Sequence, residues 1–112
     1  LITLFKSGTK PLGVYRVAGG TSGVANAIKK MGWTNDVVYI GHQLNESSYT
    51  LLPNNEIDVI IDQDLRAEAV AAVNVLLHYH NVLPKPPTYT PSAPIITSRE
   101  NMGVRIPLAY LG

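Results

Sequence analysis

Cysteine is absent from the chain, which excludes disulfide frameworks, thiolate catalysis and the usual cysteine-bearing structural zinc sites. Charge is sparse as well. Charged residues make up 15% of the sequence and sum to a net +1, with the nine Lys and Arg scattered along it, so this segment has no basic stripe with which to hold nucleic acid. No apolar run approaches the roughly 20 residues needed to span a bilayer. Leu1 to Phe5 is too short for the apolar region of a signal peptide, and there is no initiator Met; the expectation is a sequence that starts inside a longer protein. No internal repeat is visible.

What remains is ordinary globular material. Apolar residues make up 46% of 112, enough for a single modest core and too apolar for disorder. Pro11 to Val17 reads as a short strand entering the turn Gly19-Gly20-Thr21-Ser22-Gly23. Val24, Ala27, Ile28 and Met31 then recur at helical spacing. Thr21 or Ser22 is expected to cap that helix, and Gly32 suits the left-handed position just past its end. Asp36 to Gly41 is a continuous β-favouring run of the kind buried on both faces of a parallel sheet. Asn45 offers a cap for a short helix, Ser47 to Leu52, stopped by Pro53-Asn54-Asn55 before a third strand, Ile57 to Ile61.

Asp64 can cap the longest helix, in which Leu65, Ala69, Ala72, Val73 and Leu76 form one apolar stripe until about His80. The segment 81–94 carries Pro84, Pro86, Pro87, Pro91 and Pro94 and is expected to be an extended crossing segment before a short strand, Ile95 to Ser98. Met102 to Gly112 has too little periodicity to assign. Alternating strands and helices argue for an α/β fold with a parallel sheet. About three consecutive strands, where open doubly wound sheets have five or six, point to part of a larger unit.

Each chemical feature has a structural competitor. The glycine turn ahead of a helix offers free N–H groups to an anion, but its spacing fits neither the dinucleotide fingerprint nor the P-loop, and glycine commonly serves turn geometry alone. Asp62-Gln63-Asp64 at a strand end resembles the aspartate pair of haloacid-dehalogenase-type phosphatases, which share a magnesium ion and a phosphoryl group. Arg66 stands where that family usually has Thr or Val, and two strands precede the motif instead of none. The competing roles are a helix cap for Asp64 and a strand-end residue for Asp62. His78 and His80 are two apart, so on a helix they do not converge on one metal. His42 follows a strand at the carboxyl end, where open α/β sheets place ligands. Gln63, a neutral amide at a strand end, can donate to one ligand hydroxyl and accept from another.

Several of these pieces together resemble one family. Gly13-Val14-Tyr15, the helix Gly23-Val24-Ala25-Asn26-Ala27-Ile28, Val38-Tyr39-Ile40-Gly41-His42-Gln43-Leu44, Ile57-Asp58-Val59-Ile60-Ile61-Asp62-Gln63-Asp64 and Pro94-Ile95-Ile96-Thr97-Ser98-Arg99-Glu100-Asn101 are similar, in order, to the sensor domain of lactose-repressor (LacI) family regulators. That domain shares its fold with type I periplasmic sugar-binding proteins.

The resemblance implies a three-layer, parallel-sheet, Rossmann-like lobe, of which residues 1–112 are mainly the C-terminal half, with 81–94 crossing within it. It implies a two-lobed domain closing on a small effector, typically a sugar or sugar derivative, with no cofactor, no metal and no catalysis. Gln63 would hydrogen-bond the effector where the chain passes between lobes, Leu65 would supply an apolar wall, and His42 and Gln43 would line the cleft beside Tyr15. Val17-Ala18 depart from the family, where many relatives carry an Asn-Asp pair that grips sugar hydroxyls. Arg16 beside them has a planar fork suited to a carboxylate, and suggests an acidic effector such as a sugar acid.

The expectation is a cytoplasmic homodimer that touches DNA only through an N-terminal helix-turn-helix region outside this sequence and that has no membrane contact. A lobe of a periplasmic sugar receptor for an ABC transporter is the alternative, and a phosphatase-like enzyme using Asp62 and Asp64 the remote one.

Overall fold

A computed structural model describes residues 2–88 and 91–104, the side chains of residues 2, 4 and 104 excepted. The elements run α1 (Ile2–Ser7), β1 (Gly13–Tyr15), α2 (Thr21–Lys30), β2 (Val38–His42), α3 (Glu46–Leu51), β3 (Val59–Asp62), α4 (Leu65–Tyr79), β4 (Ile95–Ser98) and a single 3-10 turn, Met102–Val104. The four strands form one sheet in the order β1-β2-β3-β4. The first three are parallel, with Val14 opposite Tyr39, and Gly41 opposite Ile60. This is the expected α/β class. The tail beyond residue 104 lies outside the described residues.

The chain divides into two compact units, residues 1–62 with 96–112, and residues 63–95. In the first, side-chain alternation along the strands decides what is buried. Tyr39, Gly41 and Ile60 are buried. Tyr39 and Ile60 join a core with Ala25, Ala27 and Ile28 of α2, Leu44, Leu52 and Ile57. The intervening residues of β2, Val38, Ile40 and His42, are exposed or half-buried, and Val38 retains 52% exposure. The expectation that this strand is buried on both faces therefore holds for one face only, and an incomplete lobe leaves such a half-open sheet. Among the missed elements is α1, whose Phe5 packs against Trp33 with ring centroids 5.5 Å apart.

Local chemistry sets the boundaries. Helix α2 is not capped by Thr21 or Ser22. Its N-cap is Gly20, at φ 92° and with no side-chain acceptor, and Thr21 and Ser22 are already helical; the left-handed backbone there suits glycine and shifts the start by one residue. Gly32 takes its left-handed place at φ 71°. Helix α3 has a reciprocal cap: the Asn45 side chain accepts from Ser48 N at 3.0 Å while Asn45 N donates to Ser48 Oγ at 2.9 Å, satisfying two otherwise free donors.

In the second unit, Asp64 Oδ1 accepts from Ala67 N at 3.0 Å and caps α4 as expected. The helix ends where Asn81 turns left-handed at φ 59° and His78 Nδ1 meets Leu83 O at 3.0 Å, which places His78 and His80 at a helix terminus. The apolar stripe, however, does not form a core face. Leu65, Ala69, Ala72, Val73 and Leu76 are all exposed, and the half-buried positions of α4 are Glu68, Ala71, Asn74, Leu77 and His78. No residue of this helix is buried. The described part of 81–94 contains no helix or strand, in keeping with its prolines.

Candidate functional site

Two loops leave the carboxyl ends of adjacent parallel strands, β1 into α2 and β2 into α3. Such crevices are where open α/β sheets hold ligands. Here they flank an open cavity of about 340 Å³, lined by residues 16–23 from the first loop and by His42, Gln43, Asn45 and Ser47 from the second. That volume suits a small molecule of sugar size. The lining is mostly polar. It includes the exposed first turn of α2, where Ser22 and Gly23 follow the side-chain-free cap Gly20. Free backbone N–H groups belong to any helix start, so hydroxyl acceptors find donors on this wall.

The second loop is held in an unusual backbone conformation. Gln43 has φ 69°, a left-handed geometry that a non-glycine residue keeps only when its surroundings enforce it. Those surroundings are explicit. Gln43 N donates to Ile61 O at 2.9 Å, Ser48 Oγ donates to Gln43 O at 2.9 Å, and Leu44 N donates to Asp62 Oδ1 at 3.2 Å. The carboxylate of Asp62 thus fixes the loop from β3.

Arg16 follows β1 and lines the same cavity. Its backbone N donates to Ile40 O at 2.9 Å and its Nη2 donates to His42 O at 2.8 Å, so part of the fork that would meet a ligand carboxylate is engaged with the protein. Nε is buried and meets no acceptor among the described residues. Beneath it, Tyr39 Oη donates to Thr21 O at 3.1 Å, tying β2 to the start of α2. Burial pushes the Tyr39 phenol above its ordinary pKa, and the charge and hydrogen bonding of Arg16 pull the other way. Tyr15 hydrogen-bonds His42 Nε2 through its hydroxyl, and the two rings lie with centroids 5.3 Å apart.

Of the residues singled out from sequence, Arg16, His42 and Gln43 come together in the cavity, and Tyr15 joins them through His42. Gln63 and Leu65 belong to the second unit, where both are exposed. Asn45 and Ser47 were read only as parts of a helix start. Their position directly after a strand's carboxyl end was the signal that could have marked them. Among the described residues no group of three His, Cys, Asp or Glu is placed to hold a metal ion, and no helix is long and apolar enough to cross a membrane.

No protein-family model and no curated protein matches the sequence. Solved structures do. One, described as a XylFII-LytSN complex, superposes with a TM-score of 0.74 at 12% identity over 88% of this chain. Another, described as a XylFII molecule, gives 0.71 at 12% identity over 87%. In both, the match spans 34% of the other chain. The similarity is one of fold, and the chain has the architecture of an incomplete lobe of the periplasmic-binding-protein-like type.

Proposed function

We propose that this chain is part of the effector-sensing domain of a LacI-type transcriptional regulator, binding a small carbohydrate or carbohydrate derivative and performing no catalysis. The observation that carries the ligand-binding part is the polar cavity at the carboxyl ends of β1 and β2, in which Gln43 is held left-handed against its own preference. Gln43, His42 and Arg16 line this cavity, and Tyr15 is hydrogen-bonded to His42 beside it.

Support for a regulator over a transport receptor comes from sequence wording, His42-Gln43-Leu44 and Asp62-Gln63-Asp64, which resembles the regulators. In such a protein the effector shifts the population of two lobe arrangements and so alters the spacing of paired DNA-binding heads. The full-length protein would be a cytoplasmic homodimer reaching DNA through a separate N-terminal region, with no cofactor and no membrane contact. XylFII, named together with LytSN in one complex, supports a ligand-binding lobe in either kind of protein. The enzyme reading has less behind it, because Asp62 and Asp64 each accept a backbone N–H, from Leu44 and Ala67. It predicts magnesium-dependent phosphate release lost in Asp62→Asn.

Reading the gene upstream of the codon for Leu1 tests the choice. A helix-turn-helix coding region ahead of a first lobe is the expected result. A secretion signal there would replace the regulator with a receptor.

A further inference from the structure

The peptide unit joining His42 to Gln43 is gripped at both of its polar ends. Its N–H, on Gln43, donates to Ile61 O of β3 at 2.9 Å. Its carbonyl, on His42, accepts from Arg16 Nη2 at 2.8 Å. A peptide plane fixed from two sides cannot rotate, and rotation of this plane is one way Gln43 would leave φ 69° for the extended region that glutamine prefers. Downstream, Ser48 Oγ holds the Gln43 carbonyl at 2.9 Å. The N–H and the two carbonyls around this residue are therefore all assigned, and the clamp from the β1 side comes from one side chain.

We infer that Arg16 is a positioning residue: it clamps the His42–Gln43 peptide in the geometry that presents Gln43 to the cavity, and it serves neutral and acidic ligands alike. This rests on the reading of the cavity as a sugar site, but the clamp itself is made within the chain and is tested without a ligand. The guanidinium suits the task because its fork lies against the backbone of β2, where a Cβ added to Gly41 would be in ordinary contact with Nη2 at 3.6 Å. Alanine in place of Arg16 has no donor for the His42 carbonyl, whereas lysine has the length and a charged ammonium donor.

The test is amide hydrogen exchange on the 15N-labelled chain, comparing Gln43 with Ile28 in the α2 core as a reporter of global stability. In Arg16→Ala, Gln43 is expected to exchange about tenfold faster while Ile28 changes little. Arg16→Lys is expected to restore part of the protection. In a Gln43→Gly background, where the left-handed geometry carries no penalty, adding Arg16→Ala is expected to have a smaller effect at position 43.

Binding of D-glucose and D-glucuronate is measured on the same variants, and Arg16→Ala should weaken both by a similar factor. Equal acceleration at Gln43 and Ile28, no rescue by lysine, or loss of glucuronate binding alone would each overturn the inference. If the parent chain binds neither sugar, the sugar reading is what suffers, and the exchange data still decide the clamp.

Discussion

At the scale of single residues, the site is a case of ordinary side chains made specific by backbone constraint. Gln43 pays for its position in conformational strain, so Gln43→Gly should leave stability unchanged or raise it by about 0.5–1 kcal/mol while weakening ligand binding; chemical denaturation and calorimetric titration read the two effects separately. Gly41 has the opposite character. A Cβ there would fall 2.8 Å from Ile57 Cδ1, and Ile57 is 1% exposed, so Gly41→Ala should cost about 1–3 kcal/mol through overpacking, measurable as a lower denaturation midpoint. Tyr39 predicts a pH effect. Its folded pKa is raised, chiefly by burial, so the folded state holds that proton where the unfolded state has lost it. The stability it contributes is complete below the unfolded pKa of about 10 and is lost as pH rises through the folded value. Denaturation midpoints between pH 8 and 11 should fall less steeply in Tyr39→Phe. Residue type and position at a strand end were enough to single out His42, and the family resemblance added Gln43. The role of Arg16 was less legible, because a sequence shows that a guanidinium is present but not that a carbonyl across the sheet will take it.

At the scale of elements, capping and turn chemistry were readable because they are local. Asn45, Asp64 and Gly32 occupy the places their chemistry suggests, and β4 matches residue for residue. Asn45→Ala should therefore cost about 1 kcal/mol, and it should weaken the cavity wall along with α3. The start of α2 was misread because two good capping residues follow a glycine, and the left-handed backbone at Gly20 decides the register instead. Helix α4 shows the limit of periodicity. Its apolar residues are not confined to the stripe, since Val70, Val75 and Leu77 lie outside it, and nothing in the sequence says which of its sides is covered within these residues. Val73, 53% exposed, should accept Gln with a stability change within about 0.5 kcal/mol in this chain. A larger loss on thermal denaturation would mean that the outward face of α4 is covered.

At the scale of the whole molecule, the parallel sheet, the half-open face of β2 and the match to 34% of larger chains agree in describing an incomplete lobe. The α/β class was legible from alternating patterns, since a parallel sheet requires a crossover between successive strands. The division at residue 62 was not legible from composition, because the chain leaves β3 and enters α4 with no linker signal. In the proposed function the crevice between the β1 and β2 loops holds a small polyhydroxylated ligand. The most direct measurement is an NMR titration of the 15N-labelled chain with neutral and acidic monosaccharides up to about 100 mM, a range that detects affinities weaker than millimolar. Saturable shifts are expected in the amides of Ser22, Gly23, Gln43 and Asn45, diminished in Gln43→Ala. Shifts confined to other parts of the chain, or none at any sugar concentration, would contradict that function.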